Sequence, residues 1–357
     1  MVFLYGFLAI SLLVLAPLSS RDRRLSHLLF LLYAVALSAL ALVKPLGSAP
    51  DDFNYIDLAK LGCASFACDD TLSLSRDFVW FFLVSFSPAS SEFLVIKLIA
   101  TFALGIKLFV IYKLSSNKIY ALCVYTFAFY FLHDLTQYRV SLALAFFLLA
   151  IYFAAQSSRF TSALSGIASI GSHIQAAPSA LLLLSPRWLK DRMRFLATIS
   201  ALLVLVALGL FPQLDRLATA FGLLVGVDYD PSSDIGKYIY LADTGEYLGF
   251  RSVSLVAVVI LLSLWFVRFG GRHTDQAYKI QARALRMSQS SVVLAFTLYF
   301  VFASVLDIQN RFFEFFLVPL VLIFGSCLHT ARNYIVLVFL CGSLFVKFHV
   351  LSSFFVT

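Results

Sequence analysis

The sequence predicts an all-α integral membrane protein, a polytopic bundle that crosses a bilayer about ten to twelve times. Three observations carry this reading. Hydrophobic residues make up 61% of the 357 and charged residues only 13%, against roughly 45–50% and a quarter in ordinary soluble domains. Apolar runs of membrane-spanning length recur from one end of the chain to the other. Between them, the basic residues sit in short blocks. A soluble fold must turn its outside to water and has no place for so much apolar surface; a bilayer supplies an apolar outside.

Helices are expected at about 2–18, 25–44, 91–112, 119–133, 137–156, 195–211, 252–268, 290–306, 311–329 and 334–352. Each is near the length needed to span, roughly 17–25 residues. The run Phe78–Phe86 is too short to cross and ends in Ser87-Pro88, which suits an interfacial or re-entrant piece. The longest hydrophilic stretches, 45–77 and 212–251, are loop-sized. The chain therefore reads as one membrane domain, 1–357, with two larger external loops. The first apolar run is followed, not preceded, by Arg21, Arg23 and Arg24, so it is expected to be a retained helix rather than a cleaved leader.

The net charge of +8 records orientation, not nucleic-acid binding. Arg21–Arg24, Lys113–Lys118, Arg159, Arg187–Arg194, Arg268–Arg286 and Arg332 fall on one side of the helix map. Those blocks hold 16 of the 27 Lys and Arg but only Asp22, Asp191 and Asp275 of the 19 acids. One orientation with these blocks cytoplasmic satisfies all of them. Between Arg159 and Arg187 lie only 27 residues, so 160–184 must enter the membrane and return. Gly166, Gly171 and Pro178 break it into two half-helices, about 160–171 and 175–184, that meet at Gly171-Ser172-His173. Broken helices at membrane depth persist where protein or a watery cavity satisfies the freed backbone. The turn at His173 is expected to line such a cavity, or to join two tilted helices with no function there.

Four polar clusters fall on the external side: Asp51-Asp52-Phe53-Asn54-Tyr55, His133 to Arg139, His173 with Gln175, and Asp307 to Arg311. Arg139 and Arg311 each precede an apolar run and are expected to open a helix. A guanidinium at a membrane boundary keeps its charge and needs an anion or water. Its planar fork suits phosphate oxygens, so two outward arginines suggest a pyrophosphate clamp. Either one alone is equally read as snorkelling to headgroups or pairing with Asp134 or Glu314. A hydroxyl nucleophile needs a base, and His173, Asp52 or Asp51 offers one. Asp51 and Asp52 are neighbours and point apart, so at most one serves. Cys63 and Cys68, in an expected external loop, are read as either a disulfide or two free thiols. No GxxxxGK[ST], HExxH or CxxC occurs, and no metal or cofactor site is expected.

In this order the clusters resemble the EpsG-type branch of the Wzy polysaccharide polymerases. The resemblance rests on Asp52-Phe-Asn-Tyr55, on Tyr138-Arg139-Val-Ser-Leu-Ala143, on Gly171-Ser-His173 followed by small residues and a Pro, and on Asn310-Arg311-Phe312. It implies a multi-pass protein of the bacterial inner membrane whose active site faces the periplasm. The implied reaction joins repeat units of O-antigen, capsule or exopolysaccharide carried on undecaprenyl pyrophosphate, with a chain-length regulator as a candidate partner. Site residues follow: His173, Asp52 or Asp51 as base, and Arg139, Arg311, Tyr55, Gln137, Tyr138, Gln175 and Asn310 against substrate. Two rival readings remain. A flippase for lipid-linked sugars also suits a broken helix pair, but no second matching break or internal repeat is present. A membrane acyltransferase shares an intramembrane His, without an obvious His–Asp pairing here.

Overall fold

The computed structural model describes residues 2–19, 22–45, 47, 52–57, 77–85, 91–180, 276–301, 306–327 and, near the end, 334–335, 337–338 and 340–342. Among these residues every regular element is helical. In chain order they are α1 (Val2–Ser19), α2 (Arg23–Val43), a helical turn over 52–57, α3 (Phe78–Val84), α4 (Glu92–Leu114) and α5 (Lys118–Tyr125). The chain continues as a π-helix (Thr126–Asp134), α6 (Tyr138–Ala155), α7 (Arg159–Ser172), a 3-10 turn (Ile174–Ala176), α8 (Gln276–Val301), α9 (Leu306–Leu317) and α10 (Leu320–Cys327).

Three of them, α2, α4 and α6, are long and apolar enough to cross a membrane. The surface of α2 shows what surrounds it. Phe30, Tyr33, Leu37 and Leu40 face inward at helical spacing, while Leu31, Leu32 and Val35 are 57%, 62% and 68% exposed. A water-facing helix would carry polar residues on that outer stripe. Apolar side chains on both faces mean lipid outside and protein inside. Local signals fix the helix starts: the Asp22 carboxylate accepts from Arg24 N at 2.7 Å, and the Asn117 side chain accepts from Tyr120 N at 3.2 Å, each satisfying an orphan donor of the first turn.

At the bundle centre, α6 packs on α7, α4 and α8. Small residues set the closest approach. A Cβ on Gly325 in α10 would lie 2.6 Å from Ala121 Cβ and 2.7 Å from Ser115 Oγ, so only glycine lets α10 and α5 touch there. Asn117 N donates to the Gly325 carbonyl at 2.6 Å across the same contact.

The polar contacts sort the molecule into two ends. At one, His27 Nδ1 meets the Tyr112 hydroxyl at 3.0 Å and the Lys118 ammonium lies 5.0 Å over the Tyr112 ring. Arg283 donates to the Ala155 carbonyl at 3.4 Å and also to Ser157 Oγ. Burial, and then the neighbouring charge of Arg23, lower the Lys118 pKa from its usual value, as crowded cations should. At the other end lie the end of α2, the turn over 52–57, the start of α6 and the end of α7. α2 runs from the first end to the second, α4 finishes at the first, and α6 runs from the second back to the first.

Several expectations are corrected. The run 119–133 is a short α-helix that widens into a π-helix, with Gln137 N still reaching back five residues to the Leu132 carbonyl at 3.1 Å. The span at 290–306 belongs to a longer helix that starts at Gln276, so part of the expected Arg268–Arg286 loop is helical. The span at 311–329 is two helices divided at 318–319, beside Pro319, and Arg311 sits in the middle of α9 rather than opening it. The break at His173 is found where expected: α7 ends at Ser172 and His173 is extended. At 14 residues, α7 rises only about 21 Å, short of the roughly 30 Å hydrocarbon core. The expected return leg opens as the 3-10 turn Ile174–Ala176, while 181–184, the spans at 195–211 and 252–268, the 212–251 loop, most of the 45–77 loop and the Cys63/Cys68 pair lie outside the described residues.

Candidate functional site

At the end opposite His27, Lys118 and Arg283, the residues Asn54, Tyr55, Gln137, Arg139, Val140, His173 and Arg311 line one cavity of about 150 Å³. These seven come from segments far apart in sequence, and each of the four polar clusters contributes at least one.

Arg139 is the second residue of α6 and its side chain is partly exposed, at 27%. Its Nη1 donates to Asp77 Oδ2 at 2.5 Å, and its guanidinium carbon lies 5.7 Å from the centre of the Tyr55 ring. The Tyr55 ring is itself wedged edge-on against Trp80 and Tyr138, at 5.6 and 5.0 Å between centroids. This aromatic group holds the guanidinium at the mouth of its helix. His173 is buried, and its Nδ1 lies 3.6 Å from Asp77 Oδ1, beyond hydrogen-bond length. Among the described residues, Asp77 Oδ1, Arg139 Nε and both His173 nitrogens are buried without a hydrogen-bond partner. Buried polar atoms are normally paired, so this group of atoms is arranged for something that brings its own donors and acceptors.

Gly171 explains how Asp77 reaches His173. A Cβ there would lie 2.3 Å from the Phe78 ring, so glycine lets α3 press its first residue against the end of α7. Asp77 precedes α3 as its N-cap, yet its side chain does not cap the helix.

The expected site residues divide. Tyr55, Gln137, Arg139, His173 and Arg311 meet in the cavity. Asp52 does not line it. Its carboxylate is fully buried, pairs with Lys44 Nζ at 2.5 Å and accepts from the Tyr138 hydroxyl at 2.9 Å. Tyr138 is turned into that same network, receiving Lys44 Nζ at 2.6 Å. Gln175 is half-buried and lies outside the cavity lining. Asn310 directly precedes Arg311 in α9, and Asp51 falls outside the described residues. Asp134 is not the partner of Arg139; it binds Lys107 instead. Asp77 and Asn54 were not among the expected site residues. The available signal for Asp77 was a lone acid immediately before a short, very apolar helix, a costly position for a charge without a partner.

Residues 77–356 match the profile of the EpsG family. The match covers well over half of the chain. The protein belongs to the EpsG family. No curated protein and no solved structure matches it. As an EpsG family member it is a polysaccharide polymerase-like membrane protein, of a family associated with glycosyltransferase-like polymerase activity. The matched region begins at Asp77 and takes in Arg139, His173 and Arg311. The Asp52–Tyr55 segment precedes it.

Proposed function

We propose that this EpsG family protein joins oligosaccharide repeat units carried on undecaprenyl pyrophosphate, at the periplasmic face of the bacterial inner membrane. The observation that carries the reading is the convergence of Arg139, Arg311 and His173 on one cavity. That cavity lies at the end of the bundle away from Arg23, Lys118 and Arg283, which belong to the basic blocks between spans that favour the cytoplasm.

The donor's leaving group is a lipid diphosphate, an anion at headgroup level. Arg139 and Arg311 meet it with planar forks that keep their charge. His173 takes the proton from the acceptor sugar hydroxyl. That oxygen bonds the anomeric carbon of the growing glycan as the bond from this carbon to the diphosphate oxygen breaks. The negative charge then developing on the leaving diphosphate is what the two guanidinium groups stabilise. His173 is the better base than Asp52, because the Asp52 carboxylate is committed to Lys44 and Tyr138 away from the cavity.

The test is the ladder of polymerised glycan in cells carrying Arg139→Ala, Arg139→Lys or Arg311→Ala. Each variant should reach the membrane at wild-type abundance and collapse the ladder to single repeats. Lysine should not rescue, because it keeps charge without the fork. Losing one such transition-state contact costs about 2–4 kcal/mol, roughly 30- to 900-fold in rate. A normal ladder from Arg139→Ala would sink the assignment. Loss of the single repeat together with the ladder would point to transport, and the flippase reading would replace this one.

A further inference from the structure

The Asp77 carboxylate stands between the two groups given different tasks above. Its Oδ2 holds Arg139 at 2.5 Å, while its Oδ1 faces His173 Nδ1 at 3.6 Å without a hydrogen bond. It is also the N-cap of α3 without capping it, although an Asp at that place ordinarily gives its oxygens to the first backbone N–H groups. Burial of this side chain is nearly complete, at 8% exposed. Its second oxygen and the His173 nitrogens have no hydrogen-bond partner among the described residues.

We propose that Asp77 is a positioning residue that passes from Arg139 to His173 when the donor diphosphate docks. This rests on the function proposed above. A diphosphate oxygen that takes Arg139 Nη1 competes directly with Asp77 Oδ2, and the diphosphate carries more charge to the same donor. Once displaced, the carboxylate needs to move less than about 1 Å to bring Oδ1 within hydrogen-bond distance of His173 Nδ1. Accepting a hydrogen bond from Nδ1–H fixes the imidazole tautomer, leaves Nε2 with its lone pair free to take a proton, and stabilises the imidazolium that forms when the acceptor proton arrives. The base is thereby readied only when a donor is in place. In the resting protein, Asp77 neutralises Arg139.

Among the described residues, the charged and titratable groups facing His173 are Asp77 before α3, Arg139 of α6, Arg311 of α9 and Tyr55 of the 52–57 turn. Asp77 is the anion among them, so it is the one whose removal disfavours the imidazolium.

The experiment uses full-length protein in nanodiscs with a lipid-linked repeat unit as substrate, and undecaprenyl diphosphate as the binding probe. With Asp77→Asn, kcat should fall at least about 100-fold, as when a catalytic histidine loses its orienting carboxylate. The acid limb of the pH–rate profile should move to lower pH, because the imidazole loses the group that favours its protonated form. Affinity for undecaprenyl diphosphate should hold or improve, because Arg139 loses its competitor. Asp77→Glu, which restores the carboxylate, should return the acid limb toward its wild-type position. A kcat within threefold of wild type or an unmoved acid limb overturns the transfer and leaves Asp77 a simple neutraliser of Arg139; weaker diphosphate binding in step with kcat overturns it and makes Asp77 a support of the diphosphate site. The broader reading fails separately, if Arg139→Ala binds undecaprenyl diphosphate as well as wild type does.

Discussion

Lys107 and Asp134 offer the strongest stability test. Lys107 lies within α4, and its ammonium binds the Asp134 carboxylate at the end of the π-helix, with both side chains fully buried. Lys107 Nζ also donates to Ser141 Oγ at 2.7 Å, Ser141 Oγ donates to Asp134 at 2.7 Å, and the Tyr125 hydroxyl donates to the second carboxylate oxygen. Four elements are pinned at one point: α4, α5, the π-helix and the second turn of α6. Lys107→Met leaves a buried carboxylate with only neutral donors, and breaking a buried pair in this way costs about 3–5 kcal/mol. That is a large share of a total stability on the order of 5–15 kcal/mol. Asp134→Asn strands the ammonium and should cost a similar amount. The double variant removes both charges and keeps an amide oxygen for Tyr125 and Ser141. It should recover about 2–3 kcal/mol relative to the sum of the singles. Equilibrium unfolding in mixed detergent micelles measures all three. Additive losses below about 1 kcal/mol each, the range of a solvated pair, would refute the buried network.

Two further predictions separate structure from chemistry. Asp52→Asn should lower thermal stability by stranding Lys44, while the rate per folded molecule stays within about tenfold of wild type; a 100-fold loss of rate at unchanged stability would make Asp52 the base after all. Gly325→Ala should destabilise by about 1–3 kcal/mol, because the atoms it meets are a Cβ and a short hydroxyl that cannot swing away. Gly105→Ala, with nothing within 4 Å of its added Cβ, should be neutral or stabilise by up to about 1 kcal/mol. Equal effects in a melting assay would show that α10 and α5 are not in contact.

Periodicity and charge made the helices legible. The apolar runs placed α1, α2, α4 and α6 within a few residues, because a bilayer demands both length and apolarity. Gly171 and His173 located the break after α7, since glycine followed by a polar residue interrupts a helix that lipid would otherwise require. The cavity was legible because arginine and histidine are costly at membrane depth and have few reasons to be there. Pairings were not legible. Asp134 is five residues before Arg139, yet the π-helix and the turn at Thr136 aim it at Lys107. Asp77 reaches Arg139 from 62 positions away, through the close contact of Phe78 with Gly171. Asp52 carries the same side chain as Asp77, and only the reach of Lys44 and Tyr138 commits it to the bundle's interior. Arg311 looked like a helix start because an apolar run follows it, but the helix begins earlier at Leu306 and carries Arg311 on its flank.

The central claim is that the cavity formed by Arg139, His173 and Arg311 receives a lipid diphosphate. Cryo-electron microscopy of the protein in nanodiscs with undecaprenyl diphosphate locates that group directly. Two phosphate densities are expected within hydrogen-bond reach of Arg139 and Arg311, beside His173. A diphosphate bound at the opposite end of the bundle, among Arg23, Lys118 and Arg283, would contradict it.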